Sequence, residues 1–254
     1  MLNLKGKRGI VIGIANEKSI AWGCAKVIRK AGAELAITYL NDKAKSYVEP
    51  LAKSIDAKIF MPLDLLKAGD TEAFFDEVKR QWGNIDFLIH SLAYCPIDDL
   101  HGRVVDVSID GFTHAMQVSC YSLIKFSKYA EGLMPKGGSI LTMTYYGSEK
   151  IVTNYNIMGP VKAALESTVR YLALDLGVKD IRVNAISPGP ILTRAASGIG
   201  NFDKLLGTAY EKAPIKDGVS IDDVGNMAAF LVSDMSTKIT GSTMFVDCGS
   251  NTAA

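Results

Sequence analysis

"RGIVIGIANEKSIAWGCAKVIRKAGAELAITYL", residues 8–40, contains an apolar run, a turn, an amphipathic stretch and a second apolar run in direct succession. The runs "RGIVIGI" (8–14) and "AELAITYL" (33–40) are nearly continuous in hydrophobic character, not alternating. Strands read that way when helices cover both faces of a parallel sheet. Between them, Ile20–Ala31 carries apolar residues at helical spacing, so the stretch predicts a strand–helix–strand unit.

The same grammar continues to the end of the chain. "AKIFMPLD" (57–64), "IDFLIHSLA" (85–93), "GSILTMTYYG" (138–147), "IRVNAISPG" (181–189) and "STMFVDCG" (242–249) are further strand candidates. Helical patterns cover Thr71–Trp82 and the long stretch from Asn156, and Ser220-Ile-Asp-Asp223 has the capping-box form at a helix start. No repeat, low-complexity tract or Pro/Gly linker divides the 254 residues. The prediction is one doubly wound, Rossmann-type α/β domain over residues 1–254, with a seven-stranded parallel sheet. The segment Leu192–Pro214 stands out within it. Gly198, Gly200 and Gly207 interrupt the apolar residues Ile199, Phe202, Leu205, Leu206 and Tyr210, a composition suited to a substrate-binding region of loop and helix that folds over an apolar ligand.

Composition excludes several function classes. A formal net charge of +1 offers no electrostatic footprint for nucleic acid or an anionic membrane. The apolar run near the N-terminus is too short before Asn16 and Glu17 for a signal peptide or a membrane span, and reads as a buried strand. Cys24, Cys95, Cys120 and Cys248 show no metal-ligand or disulfide spacing. They read as reduced, mostly buried thiols of a cytoplasmic protein, and the three scattered histidines read as structural, so no metal is expected.

In a doubly wound sheet, ligands bind beyond the carboxyl ends of the strands where strand order reverses. The turn after the first strand is therefore the first place to look. Gly13 ends the strand, Ser19 is placed to cap the helix, and Gly23 lets that helix approach the sheet. Such a turn suits a pyrophosphate at a helix N-terminus, but it is not GxGxxG, and alone it fits an ordinary strand–helix turn equally well. Asp64, closing the third strand, is either an acceptor for an adenine amino group or a helix N-cap. No GxxxxGK[ST] loop is present, which argues against a nucleoside triphosphatase.

Two tyrosine–lysine pairs compete for the chemistry. Tyr146 and Lys150 flank a turn containing Gly147, where a four-residue separation does not define relative orientation. Tyr155 and Lys162 are seven residues apart at the head of a helical pattern, just under two turns, which places them on one stripe. Pro160 is tolerated in a first helical turn. A nearby ammonium acidifies a phenol and has donors to spare for ribose hydroxyls. The second pair is the geometrically credible one.

These residues carry a resemblance. "RVNAISPG" (182–189) and "ITGSTMFVDCG" (239–249) resemble the late strand motifs of the short-chain dehydrogenase/reductase superfamily. The Tyr-x6-Lys spacing, with "GIANEKSIAWG" (13–23), "HSLAY" (90–94), "YYG" (145–147), "NYNIMGPVKAALE" (154–166) and "PGPILTRAASGI" (188–199), is similar to the enoyl-acyl-carrier-protein reductases of bacterial fatty-acid synthesis. The resemblance implies NADH-dependent reduction of a carbon–carbon double bond in an acyl thioester, with acyl carrier protein as partner. It also implies a homotetramer, built here on helical faces around 112–131 and 156–176.

Position by position, the resemblance makes Tyr155 the donor to the thioester oxygen, Lys162 the holder of the nicotinamide ribose, and Tyr145 a second active-site tyrosine near the substrate. It places Gly13, Ser19 and Ile20 at the pyrophosphate and ribose, Asp64 and Leu65 at the adenine, and Leu92 on the adenosine side. The backbone from Ile191 through Leu192, Thr193 and Arg194 to Ala195 meets the carboxamide and pyrophosphate, with the Thr193 hydroxyl a phosphate contact, and Cys95 brings backbone to the substrate. Leu40 stands where the NADH-using subfamily commonly has Gln, and Lys43 nearby lacks the arginine cluster that holds a 2′-phosphate, so NADH is the expected cofactor. Two other functions stay open: a carbonyl or alcohol dehydrogenase, against which Tyr145 occupies the usual serine position, and a dinucleotide sensor without turnover.

Overall fold

The inner apolar runs become strands because both of their faces are covered. The computed structural model describes residues 2–253. In chain order the elements are β1 (Arg8–Ile12), α1 (Ile20–Lys30), β2 (Glu34–Tyr39), α2 (Asp42–Ser54), β3 (Ile59–Pro62), α3 (Asp70–Trp82), β4 (Phe87–His90), α4 (Ile97–His101) and α5 (Ile109–Met116). There follow α6 (Ser122–Glu131), β5 (Gly138–Met143), α7 (Met158–Gly177), β6 (Ile181–Pro188), α8 (Phe202–Lys212), α9 (Ile221–Val232) and β7 (Thr243–Val246). A π-helical turn, Gln117–Tyr121, joins α5 to α6. Among the described residues, the seven strands form one parallel sheet in the order β3-β2-β1-β4-β5-β6-β7. No helix among them is long and apolar enough to cross a membrane.

The two faces of the sheet carry separate cores. Ile10, Leu88, Ile140 and Val183 pack with Phe74, Phe126 and Leu165 on the face covered by α3, α6 and α7. Their sequence neighbours Val11, Ile89 and Leu141 point the other way, toward Ile28, Val48 and Val224 of α1, α2 and α9. Successive strand residues alternate faces. With two buried faces, both parities must be apolar, which is why the runs are continuous. Each fully buried Leu, Ile or Phe contributes roughly 1.5–3 kcal/mol by leaving water.

Some sequence expectations need correction. Gly23 brings α1 against α9, not the sheet: a Cβ there would lie 2.1 Å from the Ile221 carbonyl oxygen, and one on Gly225 would lie 2.6 Å from the Gly23 oxygen. The capping box at Ser220 and Asp223, by contrast, is formed as expected. Periodicity did not single out α2, which buries only Ala44, Val48 and Ala52 and has Pro50 in its interior. The segment 192–214, by contrast, is the expected mixture of loop and helix, with the short turn Ala196–Gly198 and all of α8. Cys24 and Cys120 are buried, whereas Cys95 and Cys248 are only partly so, and all four thiols are free.

Candidate active site

Strand order reverses between β1 and β4, so the connections leaving their carboxyl ends run to opposite sides and leave a crevice beyond the paired strands. Gly13 lies in it with φ of 109°, and a Cβ would stand 2.1 Å from the Ser91 carbonyl oxygen. Only glycine lets the two strand exits run this close. Ser19 occupies the N-cap position of α1, but its hydroxyl does not cap. It accepts from the amides of Ala15 (3.0 Å) and Asn16 (3.1 Å) and closes the turn instead. The first amides of α1, beginning at Ile20, are left without a side-chain cap, a ready site for a phosphate.

Asp64 lies just past the end of β3, and it is neither strand end nor helix cap. Its carboxylate accepts from the Leu66 amide (2.9 Å) in a local turn, and α3 is capped at Gly69. Leu65 and Leu92 are partly buried against the α3–α6–α7 core, and Leu40 is an exposed side chain after β2. Beyond β6, Ile191 packs on the opposite core, while Leu192, Arg194 and Ala195 are exposed. The Thr193 hydroxyl accepts from the Ala196 amide at 3.1 Å and stabilises the turn at 196–198.

The structure separates the tyrosine–lysine pairs by what each lysine does. Lys150 donates to the carbonyl of Asn251, far along the chain, so it does not serve Tyr146. Lys162 is buried on α7 and donates to the Met143 carbonyl (2.8 Å) at the end of β5, two residues before Tyr145. An ammonium has three donors, and this is the one acceptor bonded to it among the described residues. Burial pushes its pKa down to about 8, against the opposing effects of Cys120 and Glu166.

Tyr155 is not on the helical stripe that its spacing suggests. α7 begins at Met158, and Tyr155 sits in the preceding turn between Asn154 (φ 65°) and Asn156 (φ 46°), both left-handed. Asn and Asp adopt that conformation more readily than most residues. The turn delivers the ring to Tyr145, edge-on at 5.0 Å between centroids, and Tyr145 meets Tyr146 in the same way at 4.8 Å. Tyr155 is buried with Leu100, Ala115, Met158 and Val161, and Cys95 and Tyr145 pack against this cluster. The expected acidification of Tyr155 is reversed: burial raises its pKa, and the charge of Glu166 raises it further. Burial likewise raises Tyr145, and burial followed by Asp99 pushes the Cys95 thiol up to about 11. The Tyr145 hydroxyl is buried with no hydrogen-bond partner among the described residues.

Sequence reading missed the polar groups behind these tyrosines. Glu166 lies one turn past Lys162 and accepts from both Thr144 and Ser148 at 2.6 Å. Its signal was an acidic residue four positions beyond the lysine in an otherwise apolar helix face. His90 is fully buried between Thr142 (2.8 Å) and Ser122 (2.7 Å), tying β4 to β5 and α6, and burial lowers it to about 3.

The residues present fit a dinucleotide. The α1 amides are free of a side-chain cap, Lys162 has donors to spare, and the orphaned Tyr145 hydroxyl awaits an acceptor. Comparison with known proteins points the same way. The profile of the family described as enoyl-(acyl carrier protein) reductase matches residues 13–251. An NADH enoyl-acyl-carrier-protein reductase of Rhizobium meliloti is 48% identical over 98% of this chain and 92% of its own. The corresponding FabI of Rickettsia conorii is 46% identical over 98% of this chain and 95% of its own. Among solved structures, an enoyl-acyl-carrier-protein reductase from Anaplasma phagocytophilum in complex with NAD superposes with a TM-score of 0.95 at 45% identity, covering 99% of this chain and 96% of that one. One from Bacillus cereus, with NADP+ and an indole naphthyridinone, gives 0.97 at 41% identity and covers both chains fully.

Proposed function

This chain belongs to the enoyl-acyl-carrier-protein reductase family, and we propose that it reduces the trans-2 double bond of enoyl-acyl-carrier-protein thioesters with NADH, using Tyr155 and Lys162. The reaction is the closing reduction of a bacterial fatty-acid elongation cycle. The observation that carries the assignment of residues is a buried lysine with unused donors, bonded to the end of β5 two residues before Tyr145, whose ring stacks edge-on with that of Tyr155. NADH, when bound, supplies the hydride, which goes to the β-carbon of the thioester. Negative charge then develops on the thioester oxygen, and a donor aimed at that oxygen lowers the barrier selectively.

Tyr155 is that donor. Burial keeps its phenol protonated, so it acts as a neutral hydrogen-bond and proton donor rather than as a phenolate. Tyr145 shapes the acyl side, with Cys95 bordering it. Lys162 holds the nicotinamide ribose through its free ammonium donors. Gly13, Ser19 and Ile20 border the pyrophosphate, Asp64, Leu65 and Leu92 the adenosine, and residues 191–195 the carboxamide end. A 2′-phosphate requires guanidinium or paired cations near Leu40. Lys45 is instead drawn 5.8 Å over the Tyr39 ring, and Asp42 opens α2 beside it. This favours NADH over NADPH. The protein works in the cytoplasm on acyl carrier protein, as a homotetramer of single-domain subunits with 192–214 as the substrate loop.

The test follows NADH oxidation with a crotonyl thioester and, separately, with a ketone. We expect turnover of the thioester alone, with kcat/KM higher for NADH than for NADPH. Tyr155→Phe should lower the single-turnover rate by about 10²–10⁴, the usual contribution of a positioned acid. If Tyr146→Phe is crippled while Tyr155→Phe is not, the assignment falls.

A further inference from the structure

Glu166 is a buried carboxylate that the reduction just described does not use. It lies four residues past Lys162, on the same side of α7, with 6% of its surface exposed. One of its oxygens, Oε1, accepts from both the Thr144 hydroxyl and the Ser148 hydroxyl, at 2.6 Å each. Thr144 and Ser148 bracket the turn Tyr145-Tyr146-Gly147. Gly147 in turn lies against the Tyr155 ring, where a Cβ would approach to 2.6 Å. A single carboxylate oxygen therefore ties both ends of the segment that presents Tyr145 and backs Tyr155 to the helix that carries Lys162.

Resting on the function proposed above, we infer that Glu166 is a positioning residue of the reduction, fixing the 144–148 turn through two charge-assisted hydrogen bonds and placing its charge beside Lys162. The two groups make no direct ion pair within 4 Å among the described residues, so the influence acts through space in a site with little water to screen it. Both neighbours respond in the useful direction. The negative charge favours the ammonium of Lys162 and disfavours the phenolate of Tyr155, so each keeps the proton its role requires. The other ionisable groups facing Lys162 are Cys120 from the π-helical turn and His90 from β4. A carboxylate carries a full negative charge at neutral pH where a thiol does not, and His90 is neutral. Glu166 is thus the standing countercharge.

Two variants separate geometry from charge. Glu166→Gln keeps an oxygen that accepts from Thr144 and Ser148 but removes the charge. Ser148→Ala keeps the charge, leaves Thr144 as donor and releases the outer end of the turn. NADH affinity across pH 6–10 and single-turnover reduction of a crotonyl thioester are measured for both and for wild type. In wild type, NADH affinity should fall as pH rises through about 8, where Lys162 loses its proton. In Glu166→Gln that fall should move about one pH unit lower, and the rate below both midpoints should drop by less than in Ser148→Ala, because both hydrogen bonds persist but lose their charge assistance. Ser148→Ala should keep the wild-type midpoint and lose about tenfold in single-turnover rate, the equivalent of one charge-assisted hydrogen bond. Should Glu166→Gln not fold, Glu166→Asp replaces it: charge retained but reach shortened predicts an unmoved midpoint with a reduced rate. An unmoved midpoint in Glu166→Gln, an undiminished rate in Glu166→Asp, or wild-type turnover by Ser148→Ala overturns the inference. A wild type that binds NADH yet leaves the thioester unreduced removes the proposed function itself, and this inference with it.

Discussion

Gly147 has no side chain where the Tyr155 ring needs room. A methyl group there would lie 2.6 Å from Cδ1 of that ring, which is itself packed against Met158 and Val161 and has nowhere to retreat. Gly147→Ala should therefore displace the tyrosine and lower the single-turnover rate by on the order of 10²-fold, with NADH affinity far less affected. Equal losses in both would place the ring elsewhere. His90 shows a different residue-scale constraint. Held between Thr142 and Ser122, it stays neutral down to about 3, whereas an unfolded histidine takes up its proton near 6.5. The unfolded chain thus binds the extra proton first, and stability present above pH 6.5 is lost progressively as pH falls toward 3. Urea midpoints at pH 7 and pH 5 should differ for wild type, and that difference should shrink in His90→Gln. An unchanged pH dependence in that variant would assign the acid sensitivity to other groups.

At the scale of elements, α1 and α9 meet backbone to backbone. The carbonyl oxygens of Ile221 and Gly23 lie where side chains on Gly23 and Gly225 would project. Main chain cannot yield as a flexible side chain does. Gly225→Ala should cost about 1–3 kcal/mol, the usual range for overpacking, read as a lower denaturant midpoint at constant m. The segment 192–214 behaves in the opposite manner. Single bonds hold it to the tyrosine turn, Asn154 Nδ2 donating to the Gly200 carbonyl (2.9 Å), and to the end of α4, His101 Nε2 bonding the Gly198 carbonyl (2.7 Å). Of its apolar residues only Phe202 and Ala213 are buried, with Ile199, Leu205 and Leu206 partly so. Few buried contacts mean low local stability. Amide exchange should be fastest here in the free protein and slow on binding NADH and an acyl ligand, and Asn154→Ala should accelerate it. Equal protection with and without ligand would count against a lid. Asn154 thus both bonds the segment and directly precedes Tyr155 in the turn.

The whole molecule leaves an apolar face uncovered on the far side of α6 and α7. Tyr171, Leu174 and Val178 are 69%, 73% and 86% exposed, and Ile124, Ala164, Tyr171 and Leu172 line a shallow groove between the two helices. Aromatic and aliphatic surface of this kind, displayed on adjoining helices, is suited to packing against a second copy of the same face. Sedimentation at micromolar concentration should show a tetramer, and Leu174→Glu with Tyr171→Glu should dissociate it at least to dimers. A stable wild-type monomer would sink the proposal.

The architecture was legible because a doubly buried parallel strand must be apolar at both parities, and that constraint is local enough to be read from residues 8–14 or 85–93 one run at a time. Tyr155 and Lys162 were singled out as candidates through residue type and a recurring motif. The geometric reason was not: the spacing implied one helical stripe, whereas two left-handed asparagines turn the tyrosine in from outside α7. Nor could the sequence alone show that Ser19 closes its own loop, that Gly23 faces another helix, or that burial and the charge of Glu166 set the protonation of Tyr155. Periodicity and residue chemistry are properties of neighbours along the chain, and they determined the strands and the layers and singled out the tyrosine–lysine pair proposed for the chemistry. Protonation, close approach and the clamp at Glu166 depend on groups far apart in sequence, Thr144 with Glu166 or Gly23 with Ile221, and only the folded chain brings those together.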